Sequence, residues 1–182
     1  MPESISNEST RHTELPLGKI RQVQEGDVDS LVLVYDEIVS SGAYEFFHPH
    51  EMSAEYAEGI CRYNKYNNDR YYLWIHDGVP VAYGMMRYFG YDVPSLGIYV
   101  CEEFRGKGVG RALMLEMHRQ SEILGDNSIR LTVEKGNEKA ISLYKSLGYS
   151  MQDCGDYLLG MKYFQGEELA EEERFDIEEN PC

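Results

Sequence analysis

Long hydrophobic runs are missing from this 182-residue chain. None approaches the ~20 apolar residues that a bilayer-spanning helix requires, so no membrane span is expected. Residues 1–18 are polar, with Glu3, Glu8 and Glu14, and have no basic stretch leading into an apolar one. That pattern does not fit a signal peptide, and the expected location is cytoplasmic. Basic residues are scarce: 17 Lys and Arg stand against 32 Asp and Glu, a formal net charge of −15. Much of this is local, because residues 167–182 carry −7 and residues 1–18 carry −2, leaving the body at −6. A body of that sign lacks the basic footprint of a nucleic-acid binder. It suits a cationic substrate, and equally an ordinary solvated surface. Cysteine is sparse: Cys61, Cys101, Cys154 and Cys182 lie far apart, with no metal-ligand spacing to any histidine. No metal site is expected, and reduced thiols are the default.

What is present is globular in kind: 42% apolar and 27% charged residues, enough for one domain with a real core. Residues 1–18 and 165–182 read as tails around a body at 19–164. In the body the pattern predicts a strand at 19–24, a helix at 28–40 capped by Asp27, and a helix from Ser53 to about Tyr66. Strands follow at 71–76 and 79–91, joined by Asp77-Gly78, and at 95–100. A helix at 109–124 ends at Gly125. A strand at 128–134, a helix at 137–147 and strands at 149–153 and 156–164 complete a mixed α/β order. Pro80 fits an edge or strand-beginning position.

The chemistry concentrates where the 95–100 strand meets the 109–124 helix, in Arg105-Gly106-Lys107-Gly108-Val109-Gly110-Arg111. Alternate glycines let the backbone turn sharply and approach a ligand. The free N–H groups of the turn, backed by the helix dipole, make an anion cradle suited to a phosphate or pyrophosphate. The spacing fits neither a dinucleotide fingerprint, whose third glycine falls one residue later, nor the NTPase phosphate loop, which needs a glycine five residues before its Gly-Lys. One strand further on comes Asn137-Glu138-Lys139-Ala140-Ile141-Ser142-Leu143-Tyr144-Lys145-Ser146-Leu147-Gly148-Tyr149.

Together these two motifs resemble the GNAT superfamily of acetyl-CoA-dependent N-acetyltransferases. The resemblance is strong over 95–149 and weak before residue 70. It implies an α/β fold with a mixed, mostly antiparallel, twisted sheet splayed at its centre and flanked by about four helices. It also implies that the backbone of Ile98, Tyr99 and Val100 pairs with pantetheine, that N–H groups from Arg105 through Arg111 hold the pyrophosphate, and that Asn137 bonds the cofactor arm. Tyr144 would be the general acid. Glu102 stands where many members have proline, a change in turn rigidity.

Transfer of an acetyl group to an amine needs a neutral nucleophile, a stabilised oxyanion and a protonated leaving thiol. A backbone N–H serves the second need and the Tyr144 hydroxyl the third. Tyr144 also fits a core position on its helix. The strand Ser95-Leu96-Gly97-Ile98-Tyr99 carries no carboxylate to act as base. Glu102, Glu103 and Glu134, at strand ends, read as solvated charges. His48 and His50 fall in the region that lines the acceptor site in this superfamily, and a histidine there titrates near neutrality. Two exposed loop histidines are the plainer reading, and a zinc site would lack a third ligand. Eleven of 15 tyrosines precede the glycine motif, where flat rings with polar tips suit sugars, aromatic amines or a dimer surface. The expectation is an acetyl-CoA-dependent N-acetyltransferase acting on a primary amine of a small molecule such as an amino sugar or polyamine, and a homodimer is compatible with it. The alternatives are a protein or peptide acetyltransferase and a non-catalytic acyl-CoA-binding module.

Overall fold

A computed structural model describes residues 18–63 and 68–164. The acidic tail, residues 1–17, Cys182 and the predicted helix end near Tyr66 lie outside the described residues. Seven strands form one sheet: β1 Lys19–Gln22, β2 Arg70–His76, β3 Val79–Arg87, β4 Ser95–Val100, β5 Ser128–Glu134, β6 Ser150–Cys154 and β7 Tyr157–Tyr163. Four helices accompany them: α1 Val28–Ser40, α2 Ala54–Tyr63, α3 Val109–Leu124 and α4 Glu138–Ser146. The sheet order is β1-β2-β3-β4-β5-β7-β6, and every neighbouring pair is antiparallel except β4 and β5. The fold is therefore the α/β arrangement expected, splayed at its one parallel junction.

The helices cover both faces. On α1, Leu31, Val34, Tyr35 and Ile38 are buried at helical spacing, the aliphatic ones worth roughly 1.5–3 kcal/mol each. The Tyr35 ring meets Tyr83 of β3 edge-on at 5.8 Å. On the opposite face Leu113 and Met117 of α3 crowd Gly84 of the same strand. Ser121, fully buried, takes the last inward position of α3, while Leu124 is exposed. The buried stripe of α3 thus drifts round the helix by its last turn, leaving Leu124 off it.

Three local expectations change. Asp27 does not cap α1 through its side chain; its carboxylate accepts from the N–H of Gln24 at 2.7 Å and pairs with the guanidinium of Arg21. Arg21 holds the Asp27 carboxyl below its ordinary range. β3 stops at Arg87 rather than Tyr91, because Phe89 and Gly90 both take positive φ and turn the chain. Pro80 takes the expected strand-beginning position, second in β3, and the register shifts between Trp74 and Ile75 opposite it, so the missing N–H falls at an irregularity. Ser53 does cap α2, its hydroxyl accepting from Tyr56 N–H at 3.2 Å. Cys61 and Cys101 are free and buried, whereas Cys154 is disulfide-bonded, against the expectation of reduced thiols. No described helix is long and apolar enough to cross a membrane, and no described cluster could hold a metal.

Candidate functional site

β4 and β5 touch at a single register pair, Ser95 with Arg130, whereas β4 pairs with β3 along its whole length. Beyond Ser95 the two strands part. Their facing edges carry backbone groups with no ladder partner, which is costly unless water or a ligand satisfies them. Antiparallel pairing alternates, and Cys101 donates its N–H to Val81 of β3 at 3.0 Å. Ser95, Gly97 and Tyr99 therefore also turn their backbones to β3, while Ile98 and Val100 turn theirs into the split. The Val100 carbonyl confirms this direction by accepting from Arg105 Nε at 2.9 Å. Of the three β4 residues named from the sequence, two present main-chain groups to the split. Tyr99 instead presents its side chain to α1.

The split opens toward the glycine turn. Gly106 and Gly108 both have positive φ, and Gly108 is the N-cap of α3 in the left-handed region. The first bond inside the helix is Ala112 N–H to Gly108 O at 3.0 Å. The N–H groups of Val109, Gly110 and Arg111 therefore have no helical acceptor. Arg105 is different, because its N–H is taken by Glu102 O at 3.1 Å. The cradle thus starts at Gly106. Arg105, Lys107 and Arg111 are exposed around it, adding positive charge to the helix terminus. Arg111 reaches Ser146 at 2.7 Å and ties α3 to α4.

Asn137 is the N-cap of α4, its Oδ1 accepting from Ala140 N–H at 3.2 Å. Its amide NH₂ is a separate donor. Tyr144 is buried at 7% exposure, its ring 5.8 Å from Tyr149. Burial pushes its hydroxyl up to about pKa 12, so it stays protonated at neutral pH. Behind it, Tyr149 contacts buried His118 at 2.9 Å.

The structure separates the two candidate histidines. His48 is exposed, with Nδ1 3.0 Å from Tyr44 O. His50 lies in an aromatic box: it stacks on Tyr56 at 4.3 Å and meets Tyr35, Tyr71 and Tyr83 edge-on. Burial pushes its pKa down to about 4. Both ring nitrogens are engaged, so His50 is a neutral structural group. Glu102, Glu103 and Glu134 are exposed.

Two features were not found in the sequence. Glu37 of α1 accepts from Tyr99 Oη at 3.1 Å and from Glu102 N–H at 3.2 Å, pinning α1 to the end of β4. The second is a cleft of about 400 Å³ between α2 and the ends of β2 and β3, lined among others by Tyr56, Tyr71 and Arg87. The signal for Glu37 was an acid bordering the buried stripe of α1. The cleft depends on strand register, which no local pattern gives.

The profile of the Acetyltransferase (GNAT) family matches residues 35–149. Acetyltransferase SG1711 of Sodalis glossinidius (strain morsitans) is 33% identical over 82 residues, 43% of this chain and 57% of that protein. This chain thus spans little more than half the length of that relative. Among solved structures, the PaiA N-acetyltransferase of Thermoplasma acidophilum in complex with coenzyme A superposes with a TM-score of 0.69 at 19% identity, covering 81% of this chain and 99% of that one. Ribosomal-protein-alanine N-acetyltransferase from Brucella melitensis superposes with a TM-score of 0.69 at 22% identity, covering 80% and 99%. These two likenesses are of fold.

Proposed function

The chain belongs to the GNAT acetyltransferase family, and from that premise we propose that it transfers an acetyl group from acetyl-CoA to the primary amine of a small molecule. The observation that carries this reading is the split between β4 and β5 ending at a turn of free N–H donors. An unpaired strand edge suits an amide-bearing arm such as pantetheine, and the turn suits a pyrophosphate. The donor set fits the cosubstrate: main-chain groups of Ile98 and Val100 for the arm, N–H groups of Gly106 through Arg111 for the diphosphate, and the Asn137 amide NH₂ beside them. Bound there, acetyl-CoA supplies an activated acyl group as a thioester.

The chain's own groups then have separable tasks. An N–H of β4 directed into the split donates to the oxygen on which negative charge develops. Tyr144 Oη, held protonated by burial, donates to the departing sulfur. Holding acceptor and donor side by side converts a two-body encounter into a one-body step. The incoming ammonium releases its proton to water, since His50 is fully engaged and the β4 face offers no free carboxylate. Thiol release from acetyl-CoA across a panel of small amines and N-terminal peptides tests the proposal. Release with small amines is expected, release only with peptides would assign a protein acetyltransferase, and binding without release would leave an acyl-CoA-binding module.

A further inference from the structure

The cleft beneath α2 lies on the α1/α2 face of the sheet, at the end of β3. Arg87 lines it, and Arg87 is the cross-strand partner of Ser95, the residue at which β4 and β5 part. Tyr71, Met85 and Gly97 form a second row across β2, β3 and β4. Opposed residues share a face, so this row runs from the cleft to β4 over two strand spacings, roughly 10 Å. Over Gly97 the row is closed by Met85 and Phe47, which stand 2.9 and 3.0 Å from where a Cβ would be, so the open side of the cleft is the one along Arg87 and Ser95. The cleft volume, about 400 Å³, falls within the range of roughly 300–1,000 Å³ for small-molecule sites.

Its lining mixes hydrogen-bonding types. Glu51, Glu55 and Asp69 accept, Arg87 donates, and Tyr56 and Tyr71 do both. Arg87 is fixed in place. Its Nε donates to Asp69 at 3.3 Å, Nη1 donates to Pro49 O at 3.4 Å, and the guanidinium lies over the Phe89 ring at 4.2 Å. Asp69 also accepts from Tyr88 N–H at 3.0 Å. The Arg87 and Asp69 charges offset each other, leaving Glu51 and Glu55, both exposed, as the excess charge. Tyr56 is held by stacking on His50, which fixes a rigid aromatic wall.

An alkyl diamine needs acceptors only and leaves the donors of Arg87 and the two tyrosines unused. A sugar uses the whole set: each hydroxyl both donates and accepts, its C–H face packs on a tyrosine ring, and its ammonium is drawn by the two excess carboxylates. We propose that this cleft is the acceptor site and that the acceptor is an amino sugar, a polyhydroxylated primary amine. The ring sits against Tyr56, Tyr71 and Arg87, and the amine points along the sheet from Arg87 toward Ser95, where β4 and β5 part. This inference rests on the acetyltransferase reading above.

The test compares glucosamine and methyl 6-amino-6-deoxyglucoside with putrescine and benzylamine, by thiol release and by calorimetric titration without acetyl-CoA. At least one amino sugar is expected to exceed putrescine in kcat/KM by about 10-fold or more. The Glu51→Gln/Glu55→Gln double variant and Tyr56→Phe are expected to raise the amino-sugar KM by about 10-fold while the acetyl-CoA KM stays within about twofold. Preference for putrescine or benzylamine, or an amino-sugar KM unmoved by these variants, would overturn the assignment and leave the acetyltransferase reading intact. Absence of thiol release with every amine would overturn that reading instead. Calorimetry then still decides the cleft: saturable amino-sugar binding weakened by the variants upholds it, and no binding sinks it.

Discussion

Tyr83 donates its hydroxyl proton to Nε2 of His50, 2.7 Å away. The direction follows from the other side of the ring, where Nδ1 lies 2.9 Å from the Glu51 carbonyl oxygen, which can only accept. Nδ1 therefore carries the proton and Nε2 is the acceptor. The bond also satisfies the hydroxyl of a fully buried tyrosine.

Stability is expected to fall in mild acid as a result. Burial pushes His50 down to about pKa 4 from an ordinary 6.5, and it does the same to His118. Below pH 6.5 the unfolded chain takes up protons that the folded chain refuses. Stability is full above about 6.5 and is lost as pH falls toward 4, by up to ~1.4 kcal/mol per pH unit for each group. Urea midpoints at pH 7.5 and pH 5 check this, and His50→Gln should flatten the slope. A midpoint independent of pH over that interval would show that both imidazoles titrate freely.

The glycine turn yields a contrast between neighbours. Gly108 has φ +84°, a region that costs a side chain roughly 1 kcal/mol or more, and it shapes the cradle. Gly110 is helical, and a Cβ on it would meet Ile98, Leu143 and Val100 at 3.5–3.6 Å, ordinary contact. Gly108→Ala should lower both melting temperature and acetyl-CoA affinity, whereas Gly110→Ala should keep affinity and gain slightly in helix stability. Equal loss of affinity in both variants would mean that the cradle is sensed through bulk rather than through backbone conformation.

Legibility in the sequence followed the range of the interactions. The 109–124 helix, its Gly125 stop and the Asp77-Gly78 turn are set by neighbours a few positions apart, and the structure has each where the pattern puts it. The cradle is likewise local, although the loss of the Arg105 N–H to Glu102 depends on a short turn at Glu102–Phe104 that has no sequence signal of its own. Glu37 and Tyr99 are 62 positions apart. The Arg87–Asp69 pair is set by how β2 meets β3, and that register includes a shift at Trp74/Ile75. Phe-His-Pro-His put His48 and His50 side by side in the chain, yet packing against Tyr56 and Tyr83 buries only one of them. Composition could supply tyrosines to the acceptor half, but not assign which of them line a cleft.

Glu37 is expected to behave as a clasp. It accepts from Tyr99 Oη and Glu102 N–H, and Tyr99 Oη also lies 3.2 Å from Ser41 Oγ. Glu37→Ala leaves the Tyr99 hydroxyl with Ser41 alone and the exposed Glu102 N–H to water, at a cost of about 0.5–1.5 kcal/mol. Glu37→Gln keeps a carbonyl oxygen and should recover most of it. Denaturant midpoints for the pair separate the clasp from mere surface charge, for which Gln and Ala would be equivalent.

Tyr144 is the residue on which the chemical reading turns. Its ring is part of the core and packs near Tyr149, so Tyr144→Phe preserves the packing and removes only the proton. Burial holds the hydroxyl up to about pKa 12, far above neutral pH, and the proton is present throughout the working range. Removing it should lower kcat by roughly 10²-fold, the scale of acid assistance in a transition state. Acetyl-CoA affinity should change little, because one hydroxyl near a sulfur contributes at most a weak bond before reaction begins. The loss should therefore appear in kcat more than in KM, marking an interaction made as the bond breaks. Stability should stay within about 1 kcal/mol of the parent, since no volume is lost. The two roles of this side chain separate in these measurements: an acid gives slow turnover in a stable protein, and a packing residue gives unchanged turnover, with the leaving thiolate then drawing its proton from water or from the attacking amine.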